Sequence, residues 1–562
     1  MSQTPSRIET SLRGAALLNQ PLLNKGTAFT LEERARFDLD GLLPDHVSTM
    51  EEQVRRIYAG ITAKSDPLER FIGLVGLQDR NEHLFYRLLA EHVEEFLPIV
   101  YTPTVGLAAQ RFSHIFRRPR GVWITPDHRG RVREVLRNAG ADDVRLLVVT
   151  DNERILGLGD LGAGGMAIPV GKLALYTLGA GIHPGRVLGV SLDVGTDNEE
   201  LLADELYLGW RRPRLRGDEY DALVEEFVSA VEELYPHALL QWEDFKKVNA
   251  LTLLERYRSR LLSFNDDIQG TAAVALAGIL AGVRATGVPL AGHRIAILGA
   301  GAAGIGIAGQ VRTALTRAGV DDEASLARLA VMDSRGLLTA DREYREGEEY
   351  KRSFGWSREL LAGHGLPSSG ATFEEVVENY RPTVLVGTSG QPGIFSEAIV
   401  RSMAQGVERP LIFPFSNPTS KSEAQPADLI AWTDGRALTA TGSPFDPVEH
   451  GGRTYRIGQG NNVFIFPGVG LGALVAGARE VSEAMFTVAA ETLAAAVSDE
   501  DLGEGALYPR LSRLREVTRV IAGAIVREAV RSELAPPLDE ETIGERVDAA
   551  MWEPVYPTLE PV

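Results

Sequence analysis

The chain has 562 residues, 44% of them hydrophobic and 24% charged, with a formal net charge of -19, 10 His and no Cys. That length suits several domains with large buried cores, and the composition is that of an ordinary soluble globular protein. The acidity excludes broad nucleic-acid binding. The missing Cys excludes disulfides and thiolate chemistry, so a bound metal is expected on oxygen ligands, as suits Mg²⁺ or Mn²⁺.

The first residues, "MSQTPSRIETSLRG", are polar with no apolar h-region, so no secretory signal is read there. "VFIFPGVGLGALVAGA" (463–478) is too short and too broken by Pro and Gly for a membrane span and reads as a buried turn or helix start. No membrane partner is expected, and the cytoplasm is the expected location. Residues 1–120 show helical periodicity in "LEERARFDLDGLL" and "NEHLFYRLLAEHVEEFL" and form a helical N-terminal region. Tyr101 stands in "VYTPTVG", an apolar turn where a structural tyrosine is the plain alternative to a functional one.

Residues 121–265 change to a mixed α/β texture. "GVWITPDHRGRVREVL", "RLLVVTDNERILGLG" and "RVLGVSLDV" read as strands, and "IPVGKLALYTLGAG" reads as a helix. Lys172 lies at the apolar start of that helix. Buried, it is pushed toward its neutral form and becomes a usable general base; otherwise it snorkels to the surface. Glu243 and Asp244 in "QWEDF" and Asp266 and Asp267 in "SFNDDIQG" form two adjacent acid pairs. Adjacent side chains diverge on a regular element, so each pair converges only at an element end or loop. Either they make a solvated acidic face or, in the apolar setting of "FNDDIQGTAAVALAG", a hard-cation site in a cleft.

From 266 to 455 strands and helices alternate, which predicts a Rossmann-type doubly wound parallel sheet; residues 456–562 form a C-terminal segment with a mostly helical tail. The fold class is therefore α/β, with the parallel-sheet domain joined to a mixed α/β domain and a helical N-terminal region. Ligands of such sheets bind at the carboxyl ends of the strands. Asn417 in "SNPTS" and Asn461 and Asn462 in "GNNVF" stand at strand ends or turns, where they serve either the turn or a bound carboxylate.

Two stretches share the G-x-G-x-x-G spacing: Gly157, Gly159 and Gly162 in "ILGLGDLGAGG", and Gly299, Gly301 and Gly304 in "AILGAGAAGIG". The first carries Asp160 inside the turn, which repels a pyrophosphate. The second is all Gly and Ala and opens the strand–helix alternation, so the dinucleotide is assigned to Gly299, Gly301 and Gly304. The first is left as a tight packing turn, or as one that aims Arg154 and Lys172 into a cleft.

Taken in order, "RGAALLNQPLLNKGTAFTLEER", "IVYTPTVG", "TDNERILGLGDLGAGGMAIPVGK", "WEDF", "FNDDIQGT", "ILGAGAAG", "GTSGQPG", "FSNPTSKSEA", "ATGSPF" and "GQGNNVFIFPGV" resemble the malic enzyme family over most of the chain. The resemblance implies oxidative decarboxylation of L-malate to pyruvate and CO₂ with NAD or NADP and with Mg²⁺ or Mn²⁺. It implies Tyr101 as general acid, Lys172 as general base with Asp266 close by, and Glu243, Asp244 and Asp267 on the metal. Arg154, Asn417, Asn461 and Asn462 are implied at the substrate, with Arg154, Asn417 and Asp267 also near the cofactor. Asp333 would bind the adenosine ribose, while Ser334, Arg335 and Lys351 resemble an NADP-preferring pattern. A homodimer or homotetramer is implied, with the N-terminal region in assembly and Arg80 matching an effector-site arginine. The alternatives are a malolactic-type decarboxylase with tightly bound NAD, and a catalytically silent nucleotide-binding protein.

Overall fold

A computed structural model describes residues 7–562 apart from Asp142, Leu156, Glu346 and Ser369. The chain divides into two units, Met1–Ser263 with Ala473–Arg479 and Pro536–Val562, and Phe264–Gly472 with Glu480–Ala535.

The first unit begins with capped helices. Thr49 and Glu52 form a reciprocal capping box at the start of Met50–Thr62. Asp66 caps Pro67–Gln78, where Pro67 occupies the position at which a missing N–H costs nothing, and Asn81 caps Glu82–Glu91. Behind them, parallel strands run in the order Val122–Ile124, Val187–Leu192, Leu146–Thr150, Leu239–Trp242, with Leu146 in register with both Val187 and Leu239. The strand Leu146–Thr150 is buried along its whole length, as "LLVVT" requires. The stretch "GVWITPDHRGRVREVL" departs from its reading as a strand. Only Val122–Ile124 is extended, and Val132–Arg137 is a helix burying Val132 and Leu136. Those two residues, four apart, share one helical face, which the short stretch masked. At the periphery Arg7–Thr10 pairs in parallel with Thr558–Pro561, and Leu559 completes an apolar cluster with Leu17, Phe29, Phe37 and Leu39.

The second unit is built on a seven-stranded sheet in the order Gly458–Gln459, Leu438–Thr441, Leu411–Pro414, Val384–Gly387, Ile295–Leu298, Leu329–Asp333, Gly336–Leu337. All neighbours are parallel except the last pair, an antiparallel hairpin across Ser334 and Arg335. Strand order reverses where Ile295–Leu298 meets Val384–Gly387, the switch point at which such sheets open a ligand crevice. Asp266–Thr286 is long and apolar enough to cross a membrane by length and composition, yet most of it is buried, and it serves as a core helix. The stretch Phe466–Ala476 is helical.

Candidate active site

In the first unit, the strand Leu239–Trp242 ends one residue before Glu243. Glu243 still donates its N–H to the carbonyl of Val149, and Asp244 then turns left-handed at φ 58°. That turn breaks the strand alternation, so two consecutive carboxylates sit buried at one strand end. Lys172, only 1% exposed, comes from the helix Ala167–Leu175 and places Nζ 3.1 Å from Glu243 Oε1 and 5.4 Å from the centre of the Tyr101 ring. Lys172 is therefore buried and does not snorkel to the surface. Gln241 Nε2 donates to Glu243 Oε2 at 2.8 Å, and the Tyr176 hydroxyl donates to Gln241 Oε1, which fixes the amide's orientation. Tyr101 is buried at the end of Val93–Val100. The N–H of Arg154 donates to the carbonyl of Asp244, while its side chain is exposed.

The first glycine turn closes on itself. Asp160 accepts from the Gly162 and Asp197 N–H groups, from the Thr196 hydroxyl and from both Nε and Nη2 of Arg214. The Arg214 side chain is 1% exposed at this bond. A Cβ on Gly162 would stand 2.0 Å from the Tyr207 hydroxyl, so this glycine serves packing. Among the described residues the turn's acid is satisfied by protein groups.

In the second unit, the strand Ile295–Leu298 leads into Gly299 at φ 117° and Gly301 caps the helix Ala302–Arg317. A Cβ on Gly304 would lie 1.9 Å from the Gly299 carbonyl, whereas one on Gly301 would meet nothing within 4 Å. The helix start is thus tight underneath and open above. That is the geometry a pyrophosphate needs to reach the exposed N–H groups.

Asp266 is buried at the head of Asp266–Gly270, and Asp267 beside it is partly exposed. Asn462 Nδ2 donates to Asp266 Oδ2 at 2.9 Å and to Thr271 Oγ1 at 3.1 Å. The amide implied as a substrate ligand thus orients Asp266 here. Asn461 Oδ1 caps the short helix Asn462–Phe464 through the Val463 N–H. Asn417 is exposed on the loop after Leu411–Pro414, its Oδ1 accepting from the Ser443 hydroxyl.

Asp333 ends the strand Leu329–Asp333, and its carboxylate is bonded by Arg342, by Lys351 Nζ at 3.1 Å and by the Arg335 N–H at 2.9 Å. Burial pushes its carboxyl up, but these donors outweigh burial and hold it below the usual range. Lys351 also pairs with Glu348, as does the Arg335 side chain, and Ser334 is exposed. Arg80 spends Nη1 on the Gly76 carbonyl. Sequence reasoning missed Arg342 and Gln241. Gln241 opens the "QWEDF" stretch but carries no charge to mark it, and Arg342 reaches Asp333 from nine residues further along the chain.

Residues 78–258 match the family model for the malic enzyme N-terminal domain, and residues 268–530 match that for the malic enzyme NAD binding domain. The chain is 49% identical over 543 residues to an NAD-dependent malic enzyme of Edwardsiella ictaluri, covering 97% of this chain and 96% of that one. It is 46% identical over 549 residues to an NAD-dependent malic enzyme of Vibrio parahaemolyticus, with the same coverage. The crystal structure of Entamoeba histolytica malic enzyme shares the fold at TM-score 0.57 and 22% identity, over 92% of this chain and 91% of that one.

Proposed function

Because the chain belongs to the malic enzyme family, we propose that it converts L-malate to pyruvate and CO₂ with reduction of NAD⁺. One observation carries the chemistry: an amine and a phenol, Lys172 and Tyr101, buried side by side with Glu243 against the amine. A pair of that kind gives one proton acceptor and one proton donor away from bulk water, as a reaction that deprotonates one carbon substituent and protonates another requires.

Glu243, Asp244 and Asp267 would hold the divalent metal. All three offer carboxylate oxygen, the donor class that Mg²⁺ and Mn²⁺ take. Gly299, Gly301 and Gly304 would cradle the pyrophosphate, with space above Gly301 that a Cβ would fill. When bound, the dinucleotide supplies a hydride acceptor and the metal a Lewis acid.

Lys172 takes the proton of the C2 hydroxyl, and Glu243 stabilises the resulting ammonium. After CO₂ leaves from C4, Tyr101 delivers a proton to C3 of the enolpyruvate. Asn462 holds the Asp266 carboxylate, while Arg154 and Asn417 bind the substrate carboxylate. Asp333 takes the ribose hydroxyls, which favours NAD⁺. The cations around it, Arg342, Lys351 and Arg335, temper the repulsion of a 2′-phosphate, so slower use of NADP⁺ is expected. The enzyme is read as cytoplasmic and homo-oligomeric.

The test is the initial rate of NADH and of NADPH formation from L-malate with Mn²⁺, against an EDTA control. Metal-dependent reduction, faster with NAD⁺, is expected. Lactate formed without net reduction would replace this reading with malolactic decarboxylation, and no turnover of malate at all would overturn both.

A further inference from the structure

Glu423 is fully buried, and no cation pairs with it among the described residues. Its carboxylate instead collects five N–H and O–H donors from two loops. Oε1 accepts from the Ser389 N–H at 2.8 Å, the Ser389 hydroxyl at 2.9 Å, the Gly390 N–H at 3.3 Å and the Ser416 hydroxyl. Oε2 accepts from the Ser416 N–H at 3.2 Å. Ser389 and Gly390 follow the strand Val384–Gly387, and Ser416 follows Leu411–Pro414, so one side chain ties together the carboxyl ends of two neighbouring strands. The strand end is shaped to admit it: a Cβ on Gly387 would lie 2.5 Å from Glu423 Cδ. The backbone is fastened as well, since the Phe395 N–H donates to the Glu423 carbonyl.

A buried carboxylate without a counter-charge is costly unless its acceptor sites are filled, and here the loops fill them. The next residue after Ser416 is Asn417, whose Oδ1 accepts from the Ser443 hydroxyl, which fixes which end of the amide carries the donors. Residue 417 thus hangs on a loop with two anchors, Glu423 on its backbone side and Ser443 on its side chain. Gly390 N–H also donates to the Ser416 hydroxyl at 2.8 Å, closing the network.

We infer that Glu423 is a positioning residue for malate binding, setting the loop that presents Asn417 to the substrate carboxylate. This rests on the role given to Asn417 above. Glu423→Gln keeps the shape but replaces one acceptor by an NH₂, so a donor would face the Ser416 N–H or its neighbours. Steady-state kinetics with NAD⁺ and L-malate are expected to show KM for malate raised about tenfold, the loss of one charge-assisted hydrogen bond, with a smaller change in kcat. Ser416→Ala removes one donor only and is expected to raise KM about threefold; it carries the test if Glu423→Gln unfolds, as read by thermal midpoint.

The discriminating measurement is the double-mutant cycle. If Glu423 acts through Asn417, the Glu423→Gln, Asn417→Ala double variant binds malate no worse than Asn417→Ala alone. Additive losses would overturn the inference and leave Glu423 a merely structural residue, as would an unchanged KM in both Glu423→Gln and Ser416→Ala. A wild-type enzyme inert toward malate would overturn the functional reading instead, before any variant is compared.

Discussion

Two alanines in one glycine loop separate folding from cofactor binding. Gly301 has φ -80°, a conformation open to any residue, and an added Cβ there meets nothing within 4 Å. Gly301→Ala is therefore expected to fold with a stability change under about 1 kcal/mol. Its methyl nevertheless occupies the space over the helix N-terminus. A phosphate oxygen accepting from those N–H groups must come to about 2.9 Å, and a methyl holds it off by a further ångström or so. Losing one charge-assisted hydrogen bond costs about 1.5–3 kcal/mol, so the Kd for NADH rises by about ten- to a hundredfold. Gly304→Ala is the opposite case. Its Cβ would be 1.9 Å from the Gly299 carbonyl, backbone against backbone, and the strand–helix turn cannot form without displacement. That variant is expected to lose several kcal/mol of stability, about 3 or more. NADH fluorescence titration and urea unfolding of the three proteins make the comparison. An unchanged Kd in Gly301→Ala would refute the placement of the dinucleotide on this loop, whatever Gly304→Ala does.

Lys172→Met and Tyr101→Phe remove the proposed proton acceptor and donor while keeping most of the buried volume, so kcat for malate oxidation is expected to fall about 10²–10⁴-fold in each. Activity within tenfold of wild type in either would remove that residue from the chemistry. Burial lowers the His83 imidazole from 6.5 to about 4 against the smaller opposing effect of its bond to the Leu22 carbonyl. Between those values the unfolded chain binds a proton that the folded one does not, so stability falls as pH drops below 6.5 and the loss is complete near 4. At pH 5 the loss is about 2 kcal/mol relative to pH 7.5. Urea unfolding of wild type and His83→Gln at both pH values checks this, and equal acid losses in the two proteins would refute it.

The strand–helix alternation from residue 266 was readable because a parallel sheet covered on both faces writes its strands as short apolar runs ending in Gly, Asp or Ser. The first glycine loop was set apart by a single charge. Asp160 marks a turn that folds around its own acid, and the Arg214 that satisfies it lies 54 residues away, beyond any local pattern. Lys172 and Glu243 were both singled out, but their pairing was not, since nothing in "PVGKLALY" points to "WEDF". Glu423 went unnoticed for the same reason. In "SKSEA" it reads as one more solvated acid, and only the convergence of two strand ends around it makes it buried. Asn462 was legible as a polar residue at a turn, but its donation to Asp266 depends on segments nearly two hundred residues apart.

The pairing of Arg7–Thr10 with Thr558–Pro561 bears on how the molecule is made. The first unit receives a strand, and with it Leu559 of the Leu17–Phe29–Phe37 cluster, from residues 558–561, translated more than five hundred residues after the segment they pair with. The second unit, spanning 264–472 and 480–535, is synthesised in full before that happens. During elongation the N-terminal segment therefore waits with an unpaired strand edge and an incomplete apolar cluster. A ribosome stalled before residue 558 would hold a chain whose nucleotide-binding unit is complete and whose N-terminal segment is still open to proteases.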